Sequence, residues 1–247
     1  ASVDWGEFSM KWSRAIGAVA VMAIGVSTGL VGSANAADKT PSHIMAGYVL
    51  PTAASTTFRL RVTIPTLSCS AEADAPLFIH ADMTGDVNGD PRDSGLVFRT
   101  YCSAPGVQVA TYRAFLNDLS GYYDNAFPDV TASPGDELEF SGRVTVTGSG
   151  DTTERFTATD VTAGTQATVS GAGLTPTGLD LTETSHTGDR APNAPVRYNH
   201  IQVDGGPLSA QDPQGYVGVD RKGRLVVRTS NLSAAGTAFT LTYVRSH

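Results

Sequence analysis

The sequence predicts an all-β protein built as a sandwich or barrel of antiparallel strands. Three observations predict it. Apolar and polar residues alternate along several runs, turn-forming clusters punctuate those runs, and long stretches of helical spacing are missing. With 40% hydrophobic and 17% charged residues the chain can fill a globular core. A net charge of −7 argues against nucleic acid as a partner, because phosphate binding needs a basic surface.

In chain order, residues 1–36 read as a secretory signal. Lys11 and Arg14 supply the positive region, Ala15 to Gly32 the apolar run, and Ala34-Asn35-Ala36 the small-residue cleavage site. Met10 precedes Lys11, so translation is expected to begin there and cleavage to follow Ala36. The mature protein would then be extracellular, with no integral membrane span. Trp5 and Trp12 leave with the signal, and no other tryptophan exists. Gly25-Val26-Ser27-Thr28-Gly29 fits a nucleophile-elbow pattern, but it lies inside this segment and carries no chemistry.

Residues 37–56, rich in Ala, Ser, Thr and Pro, read as a mature N-terminal arm, and residues 57–247 as one β-sandwich domain. Phe58, Leu60, Val62 and Ile64 alternate with Arg59, Arg61 and Thr63, the period of a strand with one buried face. Tyr112, Phe115, Leu116 and Leu119 fit a helical face, whereas Tyr112, Ala114 and Leu116 fit a strand. Leu138, Phe140, Val144 and Val146 share a face with Gly142 between them, and Phe239, Leu241 and Tyr243 form another set. Turn chemistry separates the runs at Ser133-Pro134-Gly135-Asp136, Gly148-Ser149-Gly150-Asp151, Asp204-Gly205-Gly206-Pro207 and Arg221-Lys222-Gly223-Arg224. Cys69 and Cys102 are the only cysteines, and an even count in an exported chain predicts one disulfide.

Several phrases, taken in order, resemble the glutamic peptidases (the eqolisin, or G1, family) in their bacterial form. Thr63-Ile64-Pro65-Thr66-Leu67-Ser68-Cys69 resembles the first strand and first cysteine, and Cys102 the second cysteine. Val130-Thr131-Ala132-Ser133-Pro134-Gly135-Asp136 resembles the turn before a long central strand. Phe156-Thr157-Ala158-Thr159-Asp160 with Thr162-Ala163-Gly164 resembles the next hairpin. Ser230-Asn231-Leu232-Ser233, Gly236-Thr237 and Phe239-Thr240-Leu241-Thr242 resemble the last strand pair. The resemblance implies a two-sheet antiparallel β-sandwich, a concanavalin A-like and glucanase-like jelly roll, with a cleft across its concave face.

It also implies acid peptide hydrolysis by a Gln and Glu pair without metal, the Glu activating water and the Gln amide holding the oxyanion. Counting back from Cys102 puts the Gln position at Ser94 or Gly95, and no Gln lies between the cysteines. The Glu position falls in Leu179-Asp180-Leu181-Thr182-Glu183-Thr184, at Asp180 or Glu183. Alternation puts those two on opposite faces, so at most one enters the cleft. His80 falls where the family lines its cleft with Trp. The expectation is a non-catalytic relative that binds a peptide or polysaccharide, or serves as a structural surface. Two alternatives stand beside it. One is an acid endopeptidase with a rearranged site, drawing on Ser94 or Gln108 as polar donor. The other is a calcium-stabilised carbohydrate-binding module.

The calcium alternative rests on Asp86-Val87-Asn88-Gly89-Asp90, where Asp86, Asn88 and Asp90 place oxygen ligands at alternate positions, flanked by Asp82 and Asp93. Pro91 and Val97 occupy the places where a standard calcium loop has Gly and Glu, and such residues also favour a plain solvated turn. No other cofactor is expected. His80 and Asp82 share a strand face, a spacing that suits an ion pair, a general base or part of a metal set. Tyr122, Tyr123, Asp124 and Asn125 would make a sugar- or peptide-binding edge or a plain sheet rim, and Asn231-Leu232-Ser233 fits a glycosylation sequon.

Overall fold

The computed structural model describes residues 39–43, 45–53, 55–69, 76–119, 129–185 and 195–244. The signal segment, Tyr122 to Asn125, His186 and His247 lie outside them. Among the described residues no helix is long and apolar enough to cross a membrane.

Among the described residues sixteen strands follow one another: β1 (Thr40–Ser42), β2 (Ala46–Pro51), β3 (Thr56–Thr63), β4 (Leu77–Val87), β5 (Asp90–Ala104), β6 (Val107–Leu119), β7 (Val130–Ala132), β8 (Glu137–Val146), β9 (Thr152–Asp160), β10 (Gln166–Ala172), β11 (Thr175–Ser185), β12 (Val196–Val203), β13 (Gly206–Pro207), β14 (Gln214–Val219), β15 (Leu225–Thr229) and β16 (Phe239–Tyr243). A 3₁₀ turn, Leu208–Gln211, lies between β13 and β14. A continuous hydrogen-bonded path runs β10-β9-β8-β3-β12-β16-β15-β14-β2-β11-β4-β5-β6-β7, with β1 and β13 attached at its side. Neighbours pair antiparallel except β1 with β14. The path doubles over, so that β6 lies against β9 and β10 without pairing to either. Two layers result, the antiparallel sandwich that the alternation predicts.

One apolar core joins the layers. Leu60 and Val62 of β3, Phe140 of β8 and Phe156 of β9 meet Ile79 of β4, Phe98 of β5 and Leu179 and Leu181 of β11. On β3 the alternate residues face outward, where Arg59 and Arg61 reach Glu139 at 2.7 and 3.0 Å and Arg61 reaches Glu137 at 2.9 Å. Gly142 is the gap in the β8 pattern for a steric reason. A Cβ there would lie 2.3 Å from the Phe58 ring and 2.6 Å from Phe156, so its absence lets the two rings close over the strand.

The stretch read as an N-terminal arm is part of the sheet. It supplies β1 and β2, and β2 runs between β14 and β11 with Tyr48 and Leu50 fully buried. Its small and turn-prone residues hid a six-residue strand. The segment with two readings is strand β6. Tyr112 and Ala114 face the core and Leu116 packs partly against it, whereas Phe115 takes the other face opposite Gly95 by ordinary alternation, so the apparent helical spacing mixes residues of two faces. Register slips between Asp93 and Gly95 of β5, leaving an extra residue on β6 beyond Phe115.

Cys69 and Cys102 are bonded, with Cα atoms 5.3 Å apart. Gln108 reinforces the same region. Its Oε1 accepts from Leu67 N at 2.9 Å, and its Nε2 donates to Pro65 O and Thr100 Oγ1, both at 2.7 Å. Gln108 is thereby committed to holding residues 65–67 on β5 and β6, not offered as a donor to a carboxylate.

Candidate functional site

Register sorts the side chains of β11, β4, β5 and β6 into two faces, since directly opposed residues of antiparallel strands project the same way. One face is the core. On the other, one row runs Tyr216, Gly47, Thr182, His80, Val97 and Arg113. The next row runs Gln214, Val49, Asp180, Asp82, Gly95 and Phe115. Beyond it Asp93 stands opposite Thr84, and on the far side Phe78 stands between Thr184 of β11 and Arg99 of β5. His80, Asp82, Asp93 and Arg113 are all buried here, although none faces the core.

Three carboxyl groups therefore meet on one face. Asp180 and Asp82 oppose each other directly, and Asp93 is diagonal to Asp82. Like charges in that arrangement repel. Burial, then the charges of Asp93 and Asp180, raise the Asp82 pKa well above the ordinary carboxyl range. Burial, then Asp93, push Asp180 up to about 7. The group thus keeps a proton that isolated aspartates would have lost, as paired carboxyls do when burial and proximity disfavour double ionisation. Asp180 Oδ1 and Asp82 Oδ1 are inaccessible and make no hydrogen bond. Gly95 permits this crowding, because a Cβ there would sit 2.5 Å from the Asp82 Cα.

His80 joins the group through both ring nitrogens. Nε2 lies 2.9 Å from Thr184 Oγ1, and Nδ1 lies 3.5 Å from Asp82 Oδ1. On the opposite side of the same strands, the Tyr198 hydroxyl donates to the backbone carbonyl of Thr182 at 2.7 Å and approaches that of His80 at 3.2 Å.

Asp180 and Glu183 do take opposite faces. Glu183 opposes Ile79 and Ala46, so it enters the core, 2% exposed. Burial raises its pKa to about 7, and the neighbouring Tyr243 phenol lowers it slightly. Its Oε2 has no hydrogen-bond partner. The sequence reading left the choice open, although Leu179 and Leu181 share the odd positions with Glu183 and are the apolar members of the strand.

Ser94, expected to line the cleft, is turned inward. It opposes Met83 of the core, is 0% exposed, and accepts from Asn117 N at 2.8 Å. It also hydrogen-bonds Glu154 of the other layer, opposing the rise that burial imposes on that carboxyl. The Asp86 to Asp90 segment is the β4–β5 hairpin turn. Asn88 and Gly89 both have positive φ (57° and 86°), and Asp86 Oδ1 accepts from Gly89 N at 3.1 Å. Asp90 lies 3.9 Å from Arg92. Among the described residues no three His, Cys, Asp or Glu gather in a metal-holding set. The sequence reading missed Asp93 as a member of the Asp82–Asp180 group and Thr184 as the partner of His80. Both follow from cross-strand register, which no single strand displays.

Comparison with solved structures places this architecture among the glutamic-peptidase folds. The chain is similar to scytalido-glutamic peptidase, crystallised with a peptide-based transition state analog. TM-score is 0.55, identity 21%, and coverage 82% of this chain and 98% of that one. It is similar also to SCP-B, a member of the eqolisin family in complex with the tripeptide Ala-Ile-His, at TM-score 0.54, 20% identity and the same coverage. No family model matches the sequence, and no curated protein does.

Proposed function

We propose that this chain is a secreted, glutamic-peptidase-like β-sandwich that holds an extended polymer, peptide or polysaccharide, against the face carrying His80 and Asp180, and does not cleave peptide bonds by the family's Gln and Glu chemistry. The observation that supports the reading is the fate of the two candidate positions. Ser94 is enclosed between the layers and Glu183 in the core, so neither an amide nor Glu183 meets a substrate on that face. Incubation with denatured casein tests it, both between about pH 2 and pH 5, where the resemblance implies the family's acid hydrolysis, and near pH 7, where Asp180 titrates. The expected result is retention of casein or of an insoluble polysaccharide without cleavage.

A second reading, acid endopeptidase activity through a rearranged carboxyl pair, is favoured by the direct opposition of Asp82 and Asp180. Acid cleavage of casein that disappears in Asp180→Asn would establish it and overturn the first.

A further inference from the structure

We propose that Thr184, His80 and Asp82 form a nucleophile, base and orienting carboxylate, and that this face hydrolyses carboxylic esters through an acyl group carried on Thr184. The proposal is independent of polymer binding and would survive its failure.

The argument is geometric. A hydroxyl nucleophile needs a base within hydrogen-bond reach, and the base needs a third group to hold it. Thr184 Oγ1 is 2.9 Å from His80 Nε2, and the other ring nitrogen is 3.5 Å from Asp82 Oδ1. The second contact is an ion-pair approach and not a hydrogen bond, and the proposal requires it to shorten when substrate binds, as catalytic contacts do. All three side chains project from one face by register. His80 and Asp82 are two apart on β4, and Thr184 on β11 opposes Phe78, one step along the same face. His80 is 2% exposed and stacks at a tilt near Phe78, whereas Thr184 retains exposure, so the nucleophile is the reachable member. With a carboxylate at Nδ1, the Nδ1–H tautomer leaves the Nε2 lone pair facing the Thr184 hydroxyl.

The chemistry balances without a cofactor. Thr184 Oγ1 attacks the ester carbonyl carbon while its proton passes to Nε2. The C–O bond to the alcohol breaks and the leaving oxygen takes that proton. Water then attacks the acyl carbon, gives a proton to Nε2, and the acid departs as Thr184 regains its hydrogen. His80 must start neutral and Asp82 ionised. Among the described residues the titratable groups on this face are Asp82 on the same strand, Asp180 on β11, Asp93 and Arg99 on β5, Arg113 on β6 and Tyr216 on β14. Since burial and its acidic neighbours keep Asp82 protonated to unusually high pH, the triad assembles only as pH rises. Asp82 is a positioning residue, and Thr184 and His80 the catalytic ones.

The test uses p-nitrophenyl acetate and a fluorophosphonate label on the purified chain. Release of p-nitrophenol above the uncatalysed rate should climb as pH rises and Asp82 gives up its proton. Thr184→Val and His80→Gln should lower it at least ~100-fold, Thr184→Ser should keep it, and Asp82→Asn should alter the pH profile. Peptide mapping should find the label on Thr184. Circular dichroism checks that each variant is folded, and the wild-type label reports independently of any variant. Release by the wild type no faster than by Thr184→Val, or a label only on other residues, overturns the proposal.

Discussion

Glu183 and Asp180 stand three residues apart on β11 and meet opposite environments. Glu183 sits among core residues, with Tyr243 and Tyr198 as its polar company, and its carboxyl is held neutral up to about pH 7. The folded state therefore binds a proton that the unfolded chain releases near the ordinary glutamate value of 4.5. The stabilisation is complete below that value and is lost as pH rises through about 7, amounting to about 3 kcal/mol. Urea unfolding at acid and mildly alkaline pH should show Glu183→Gln matching the wild type in acid. Above neutrality the variant should exceed the wild type by roughly that amount. That the two carboxyls diverge was legible from alternation, although which one goes inside was left open. That Asp180 would meet Asp82 was not, because their opposition depends on the pairing of two segments about a hundred residues apart in the chain.

The β5–β6 hairpin is tied near its turn by the Cys69–Cys102 bond, which spans 33 residues of sequence. Closing such a loop restricts the unfolded chain and is worth about 3–4 kcal/mol in the chain-entropy model. Replacing both cysteines by serine should lower the urea midpoint by an amount of that order while leaving the far-ultraviolet dichroism in place. Residues 65–67 should loosen first, detected as faster amide exchange at Leu67, whose N–H is held by Gln108. Composition foretold this bond, since two cysteines allow one pairing. The strands of long alternation, β3 and β8, were equally legible. β2 was not, because Gly47 and Pro51 lie in it and its support comes from β11 and β14. Gly47, at φ +141°, has no room for a side chain: a Cβ would lie 2.2 Å from the Leu181 carbonyl. A residue that reads as a breaker is here the condition for two strands to pair.

At the scale of the molecule, the layered all-β architecture was legible because period-two patterning and turn chemistry agree along most of the chain. The candidate site was only half legible. His80 and Asp82 announce themselves by spacing on one strand, whereas Thr184 and Asp93 join them through the order β11-β4-β5. The layers are also bolted together at this point. Tyr198 reaches from β12 through the core to the carbonyls of Thr182 and His80. Tyr198→Phe should leave those carbonyls without their cross-layer donor and cost about 1–3 kcal/mol, read by thermal or urea unfolding. A change at Tyr198 would thus reach, through the backbone, the strand segment that carries His80 on the other side of the sheet, although the phenol itself is fully buried.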